Sequence, residues 1–251
     1  MAEVALALIN SVLLPPELKA AVHSIDWLTD SERQKLTQLL APRRRLQFLV
    51  GHGLVRQLLA AQYGGDPWHD WPLDAPTNGP PCLLSQTRQS GLKVALSHSA
   101  AWVAAAVSNS ALGLDVETPN ERRSLQTMLG SIGTREEQVT FNAIAPSDQA
   151  REFYRIWTLK EAWLKQRHEG LALGRLPLLQ TRPARESDPL TARVWHFRGL
   201  TMSCLAPAEA KPIWWNAPSG LEESELPQQW AVDELPVAYG SDDLHIVATC
   251  A

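Results

Sequence analysis

The sequence predicts an α+β fold, because helical and strand patterns occur in separate groups along the chain. Short strands are predicted within residues 93–117, and again over 191–195 and 200–205. The first group follows a helical pattern that starts at Pro42, and the second follows one over 148–167. Groups of strands that follow helices, without a strict alternation of the two, favour α+β over a doubly wound parallel sheet.

Two helices are predicted before the first strands. Thr29-Asp30-Ser31-Glu32 has the pattern of a capping box that begins a helix extending to Leu40. Pro42 restarts the pattern, and apolar residues then recur at helical spacing to Leu59. Arg43-Arg44-Arg45 and Arg56 give this second helix a basic face. The positive charges of three arginines in a first turn are unfavourable next to the positive end of the helix dipole. Either exposure of the helix start to solvent or a bound anion would relieve this repulsion.

Two predicted strands, 93–97 and 101–107, place Ser97 and His98 at a turn. A third strand over 112–116 is an apolar run between Ser108-Asn109-Ser110 and Pro119-Asn120. His98 alone is equally consistent with a histidine that satisfies a turn carbonyl group. The boundary between two halves of the chain is expected in the Ser-Asn-Ser segment, which has a turn composition.

Asp115 and Glu117 lie two residues apart at the end of the third strand, so both carboxylates project to the same side. Two adjacent like charges repel unless a cation or a proton lies between them. A divalent cation would satisfy both groups, although a solvated strand end would also explain the pair.

Glu161 and Lys165 lie four residues apart on one face of the helix predicted over 148–167. Alone they could be a surface pair that contributes about 0.2–0.5 kcal/mol. Together with Asp115 and Glu117 they provide three carboxylates and a lysine, which can assemble around a metal-bound phosphate. This combination suits phosphoryl transfer, and a metal-dependent nuclease or phosphoesterase is the main alternative.

Composition restricts the classes of function. The net charge of −4 argues against nonspecific binding to nucleic acid, which requires clustered positive charge. The chain has three cysteines without metal-like spacing, no basic segment at its N-terminus and no apolar stretch of membrane length. We therefore expect a cytoplasmic protein that binds neither nucleic acid nor a membrane.

Three motifs, in this order and spacing, resemble a known family. They are Ser97-His98-Ser99 followed by Trp102, then Gly113-Leu114-Asp115-Val116-Glu117, and then Trp157-Thr158-Leu159-Lys160-Glu161-Ala162-Trp163-Leu164-Lys165. The family is that of the 4'-phosphopantetheinyl transferases of the surfactin-synthetase-activating type. The resemblance extends from about residue 43 to about residue 207. It implies transfer of the phosphopantetheine arm of coenzyme A to a serine of an acyl or peptidyl carrier protein, with release of adenosine 3',5'-bisphosphate.

The resemblance also implies roles for individual residues. Asp115, Glu117 and Glu161 are expected to bind Mg²⁺, with Mn²⁺ as an alternative ion. Lys165 is expected near the pyrophosphate, and Glu161 is a candidate acceptor of the serine proton. The predicted contacts with the phosphates of coenzyme A come from Ser97, His98 and, among the three arginines, Arg45; through His98 the activity could become sensitive to mildly acid pH.

This sequence departs from the family pattern at several positions. Gly79-Pro80-Pro81 replaces the frequent Gly-Lys-Pro, so a lysine that helps bind the nucleotide is missing, and Arg88 or Lys93 could compensate. Ala95 occupies a position that is often asparagine. A further acidic residue of the family corresponds to Glu136 or Glu137, and the sequence does not decide between them.

By the same resemblance, two similar α+β halves related by a pseudo-twofold axis should bind coenzyme A in the cleft between them. The expected ranges are 1–109 for the first half, 110–206 for the second, which carries the metal and catalytic motifs, and 207–251 for an additional tail. The tail should pack on the body, because Trp214, Trp215 and Trp230 are costly to expose, although aromatic residues also suit a docking surface.

A monomer with an internal site and an acidic carrier protein as partner are expected. The missing lysine leaves an inactive carrier-binding module as another alternative.

Overall fold

The structure is a computed structural model that describes residues 3–76, 79–84, 91–120, 124–169, 173–197, 199–215 and 228–236. Its α-helices are α1 (Pro16–Ser24), α2 (Asp30–Gln38), α3 (Pro42–Tyr63), α4 (Leu125–Ile132), α5 (Arg135–Ala143) and α6 (Pro146–Gln166), with a 3₁₀ helix at Leu173–Leu178. The strands are β1 (Glu3–Asn10), β2 (Leu73–Asp74), β3 (Cys82–Leu83), β4 (Lys93–Ser99), β5 (Trp102–Ser108), β6 (Gly113–Glu117), β7 (Leu179–Pro183), β8 (Leu190–Phe197), β9 (Leu200–Pro207), β10 (Lys211–Trp214) and β11 (Gln228–Glu234). The predicted α+β class is confirmed.

The first sheet has the strand order β10-β1-β5-β4. One of its faces packs on α3 and α1 through a core that includes Val50, Leu54 and Leu58 from α3. Helix α3 begins with a proline at its first position, where the missing N–H is not needed.

The second sheet has the order β6-β9-β8-β11-β7. Its core with α6 includes Phe153, Ile156, Leu159 and Leu164 at helical spacing. A third core lies between the two sheets and contains residues of both, among them Leu6 and Ala104 from the first sheet and Leu114 and Met202 from the second. The order of layers is therefore helix, sheet, sheet, helix.

The strand order repeats between the two halves. Strands β1, β5 and β4 are antiparallel neighbours in the first half, and β6, β9 and β8 form the same arrangement in the second. In each half a long helix with an N-terminal proline covers the sheet. This repetition supports the predicted pseudo-twofold relation, which remains a prediction.

Both halves also contain a capping box whose glutamate is buried. Thr29 and Glu32 cap α2, and Thr134 and Glu137 cap α5. Each glutamate then pairs with a buried cation of the long helix, Glu32 with Arg56 at 2.7 Å and Glu137 with Lys160 at 2.6 Å. The same element thus connects the short helix to the long helix in each half.

The segment after residue 206 contributes a strand to each sheet. Strand β10 pairs in parallel with β1, and β11 lies between β8 and β7. Trp214 packs against the core between the sheets, while the guanidinium of Arg155 lies 3.6 Å from the centre of the Trp230 ring. Residues 216–227 and 237–251 of the tail lie outside the described residues. Within the described part of the chain, no helix is both long and apolar enough to span a bilayer.

Candidate active site

The site depends on a close approach between β6 and α6. At Gly113, the first residue of β6, a Cβ atom would lie only 2.0 Å from the carbonyl oxygen of Ala162. Glycine is therefore required there for steric reasons. Because the strand and helix lie so close, the side chains of Asp115 and Glu117 meet the face of α6 that carries Glu161 and Lys165.

These side chains line one cavity of about 160 Å³. Its lining residues are Ser97, His98, Asp115, Glu117, Trp157, Glu161 and Lys165. The structure thus brings together six of the seven residues predicted for the site, and it adds Trp157. Arg45 is the predicted residue that does not line this cavity.

Asp115 is only 3% exposed, and its two carboxylate oxygens differ in their hydrogen bonding. Its Oδ1 accepts hydrogen bonds from Lys165 Nζ at 2.5 Å and from the Ser97 hydroxyl at 2.9 Å. Its Oδ2 is buried and has no hydrogen-bond partner among the residues that the structure describes. A buried carboxylate oxygen without a partner is costly, so this atom is suited to bind a cation.

Glu161 has a similar unpartnered oxygen in the same cavity. The residue is 7% exposed, and its Oε1 accepts no hydrogen bond from the described part of the chain. Burial raises the pKa of Glu161 to about 7; Asp115 and Glu117 also raise it, whereas Lys165 opposes the change. A cation between these carboxylates would stabilise the charged form of Glu161 and lower that pKa.

The residues fit a hard cation by their chemistry, with carboxylate oxygens available in a cavity open to phosphate and water. As the side chains stand in the described residues, no three histidine, cysteine, aspartate or glutamate side chains converge closely enough to hold a metal. The ammonium group of Lys165 supplies the positive charge at Asp115 in this arrangement.

The hydroxyl of Ser97 makes its hydrogen bonds within the protein, and its predicted contact with a coenzyme A phosphate stays a prediction. Its hydroxyl donates to Asp115 Oδ1, and it accepts hydrogen bonds from the Val116 N–H at 3.1 Å and from Lys165 Nζ at 3.0 Å. One hydroxyl has one donor and two lone pairs, so all of its capacity is used within the protein.

His98 lies beside the cavity and contacts the guanidinium group of Arg44. Burial lowers the pKa of His98 to about 4, and the positive charges of Arg44 and Lys165 add to this effect. The imidazole is therefore neutral at mildly acid pH, and the sensitivity of the activity to that pH range stays a prediction.

The three consecutive arginines of α3 point to different partners. Arg45 donates to the carbonyl of Leu36 at 2.6 Å, and Arg43 donates to the carbonyl of Ala100 at 2.9 Å. Arg44 is the one that reaches His98. Among the three, Arg44 is the one that contacts a residue lining the cavity, and the phosphate contact of Arg45 stays a prediction.

The Gly79-Pro80-Pro81 segment, where the sequence departs from the family pattern, does not line the carboxylate cavity. Pro80, Pro81 and Lys93 line a second cavity of about 370 Å³, between the start of β4 and the end of α6. Lys93 thus lines the same cavity as Pro80, and its role as a compensating cation stays a prediction; Arg88 lies outside the described residues. Glu137 belongs to the buried pair with Lys160, Glu136 is exposed, and neither lines the carboxylate cavity.

Sequence reasoning missed the contribution of Ser99. Its hydroxyl donates to Glu117 Oε2 at 2.8 Å, parallel to the bond from Ser97 to Asp115. The spacing contained the signal: Ser97 and Ser99 are two apart on one strand, as are Asp115 and Glu117 on the other.

Comparisons with known proteins agree with this geometry. The family model of the 4'-phosphopantetheinyl transferase superfamily matches residues 111–201, which include the three carboxylates and Lys165. The 4'-phosphopantetheinyl transferase HetI of a Nostoc species is 26% identical over 192 residues, 75% of this chain and 80% of HetI. The 4'-phosphopantetheinyl transferase Sfp of Bacillus subtilis is 26% identical over 149 residues, 59% of this chain and 64% of Sfp, less than two thirds of its length. With these motifs in one cavity, the chain is similar to the 4'-phosphopantetheinyl transferases of the Sfp-like type, and its residues 111–201 match the model of that superfamily.

Proposed function

We propose that this protein transfers the 4'-phosphopantetheine arm of coenzyme A to a serine of an acyl or peptidyl carrier protein and releases adenosine 3',5'-bisphosphate. One observation carries the proposal. Lys165 and the unpartnered oxygens of Asp115 and Glu161 face one small cavity, within the segment that matches the family model. A positive charge beside free carboxylate oxygens suits a pyrophosphate that is bound together with a cation.

The reaction exchanges one phosphorus–oxygen bond for another. The serine oxygen of the carrier bonds to the phosphorus that bears the pantetheine. The bond from this phosphorus to the bridging oxygen breaks, and its electron pair leaves with adenosine 3',5'-bisphosphate. In our proposal Glu161 accepts the serine proton, directly or through a water, and Lys165 stabilises the charge that develops on the phosphate oxygens.

Asp115, Glu117 and Glu161 are the proposed ligands of Mg²⁺, or of Mn²⁺ in its place. The ion would neutralise charge on the pyrophosphate and favour departure of the bisphosphate. The Asp115 oxygen proposed to bind it is Oδ2, because Oδ1 already accepts two hydrogen bonds.

The proposed partner is an acidic carrier protein, which the local basic charge of Arg43 and Arg44 near the cavity would attract. A monomer is also proposed, because Ser97 and His98 of the first half and Asp115 of the second line one cavity within a single chain. Light scattering coupled to size exclusion would test the monomer directly.

The function is tested by intact mass spectrometry of an apo carrier protein incubated with this protein, coenzyme A and Mg²⁺. Parallel samples contain Asp115→Asn, contain Glu136→Gln as a matched exposed control, or contain a chelator in place of Mg²⁺. We expect a mass gain of one phosphopantetheine arm with the unmodified protein and with Glu136→Gln only. A gain that persists with the chelator or with Asp115→Asn would contradict the proposed metal site.

The main alternatives give different results in the same experiment. A phosphoesterase would release a product from coenzyme A or from a phosphodiester without any mass gain on the carrier. An inactive binding module would bind coenzyme A and leave the carrier unchanged across several carrier proteins. Either result would refute the transfer.

A further inference from the structure

The carboxylates lie at a seam between the two sheets. Strand β4 is the last strand of the first sheet, and β6 is the first strand of the second. The two strands are neighbours in space but do not belong to one hydrogen-bonded ladder. An edge strand presents backbone N–H groups that need partners, and this need is strongest where the edge is buried.

Two serine hydroxyls bridge this seam in a repeated pattern. The Ser97 hydroxyl accepts from the Val116 N–H at 3.1 Å and donates to Asp115 Oδ1 at 2.9 Å. The Ser99 hydroxyl accepts from the Thr118 N–H at 3.0 Å and donates to Glu117 Oε2 at 2.8 Å. Each serine therefore holds a carboxylate and the backbone N–H of the next residue.

The pattern follows from strand geometry. Alternate residues of a strand face the same side, so two serines two residues apart can meet two carboxylates two residues apart. A hydroxyl group is the smallest side-chain group that donates and accepts at once, which is the combination needed here. Alanine at either position would leave a backbone N–H without its partner and allow the carboxylate to rotate.

We propose that Ser97 and Ser99 are positioning residues that fix the Asp115 and Glu117 carboxylates relative to each other and to the cavity. Because Ser97 and Lys165 both donate to Oδ1 of Asp115, Oδ2 is the oxygen that remains without a partner among the described residues and is available for a cation. This inference deepens the proposed function and rests on it. It assigns to Ser97 a role toward the carboxylate, not toward coenzyme A, and it gives Ser99 a role of its own.

The test measures metal affinity separately from transfer. Mn²⁺ binding is followed by electron paramagnetic resonance, with and without coenzyme A, for the unmodified protein, Ser97→Ala and Ser99→Ala. We expect each substitution to weaken Mn²⁺ binding by about 10-fold to 100-fold, as is usual for groups that orient metal ligands. Coenzyme A affinity measured in a chelator should change less than about twofold, since a hydroxyl that makes no phosphate contact leaves its binding free energy unchanged.

Two further variants separate positioning from stability. Ser99→Thr keeps the hydroxyl and should restore most of the Mn²⁺ affinity. Ser108→Ala is the matched control, because Ser108 is a buried serine of the neighbouring strand β5 whose hydroxyl donates to the carbonyl of Glu3 at 3.1 Å. It should lower the melting temperature without changing Mn²⁺ binding.

Three results would overturn the inference. In the first, Ser97→Ala weakens coenzyme A binding in the chelator and leaves Mn²⁺ binding intact, which would make Ser97 a substrate contact. In the second, both alanine variants lose stability as Ser108→Ala does, with unchanged Mn²⁺ affinity. In the third, the unmodified protein binds no Mn²⁺ with or without coenzyme A, which would also remove the metal from the proposed function.

The positioning role and the transfer can fail independently. If the alanine variants weaken Mn²⁺ binding but no carrier gains mass with the unmodified protein, the positioning role stands and the proposed transfer is refuted.

Discussion

The buried cluster around Glu32 predicts a defined loss of stability when its charge is removed. Glu32 is 0% exposed and receives hydrogen bonds from His52 Nδ1 at 2.6 Å and from Arg56 at 2.7 and 2.8 Å. Burial disfavours the Glu32 carboxylate, but the bonds from His52 and Arg56 outweigh it and lower its pKa from 4.5 to about 2. At 1.36 kcal/mol per pH unit, this difference corresponds to about 3 kcal/mol.

Glu32→Gln should therefore lower the free energy of unfolding at pH 7 by about 3 kcal/mol. An independent argument gives a similar value. Arg56 is also fully buried, and removing one partner of a buried ion pair typically costs about 3–5 kcal/mol. Asp30→Asn, in the exposed first turn of the same helix, is the matched control and should cost less than about 1 kcal/mol.

The pH dependence gives the sign of the effect. Because the folded pKa of Glu32 is lowered, its stabilisation is fully present above pH 4.5 and is lost as the pH falls through about 2. Urea denaturation between pH 7 and pH 2.5 should show the difference between the unmodified protein and Glu32→Gln decreasing below pH 4.5. A difference that stays constant across this range, or one below about 1 kcal/mol at pH 7, would refute the reasoning.

Three further predictions concern the site. Lys165→Met should reduce the turnover of carrier modification by about 100-fold to 1000-fold, because it removes a positioned charge, while Lys165→Arg retains the charge and should lose less in the same mass-spectrometric rate assay. Gly113→Ala should destabilise the protein by about 1–3 kcal/mol in thermal denaturation, since its Cβ would meet the Ala162 carbonyl. The imidazole of His98 should titrate near pH 4 in the unliganded protein by nuclear magnetic resonance, and its pKa should rise when coenzyme A is bound; an unliganded pKa near 6.5 would contradict the burial described.

Local periodicity was sufficient to predict which side chains share one side of the strand and one side of the helix at the carboxylate cavity. Asp115 and Glu117 share a side because they are two apart on a strand, and Glu161 and Lys165 share a side because they are four apart on a helix. Both rules depend only on backbone geometry, and the structure places all four residues around one cavity.

Periodicity could not rank the arginines of α3. Successive residues of a helix point about 100° apart, so Arg43, Arg44 and Arg45 must face three different directions. Which direction leads to the cavity depends on how α3 lies against β4 and the turn at Ala100, and that is set by tertiary packing. The structure accordingly places Arg44 at His98 and directs Arg45 to the Leu36 carbonyl.

Two similar halves were expected, but the second capping box was missed in the sequence, although Thr29-x-x-Glu32 was recognised as one. Thr134-x-x-Glu137 has the same pattern about one hundred residues later. The buried partners of the two glutamates differ, Arg56 in one half and Lys160 in the other, so residue identity conceals a shared arrangement.

The two strands after residue 206 have a consequence for the symmetry of the molecule. By strand order, β1 corresponds to β6 and β8 corresponds to β4, so β1 and β8 have the edges that would border a second, equivalent seam. Strand β10 covers that edge of β1, and β11 covers that edge of β8. Within the described residues, the C-terminal strands therefore cover the edges of β1 and β8, whereas the edges of β4 and β6 meet at the seam that carries the carboxylates.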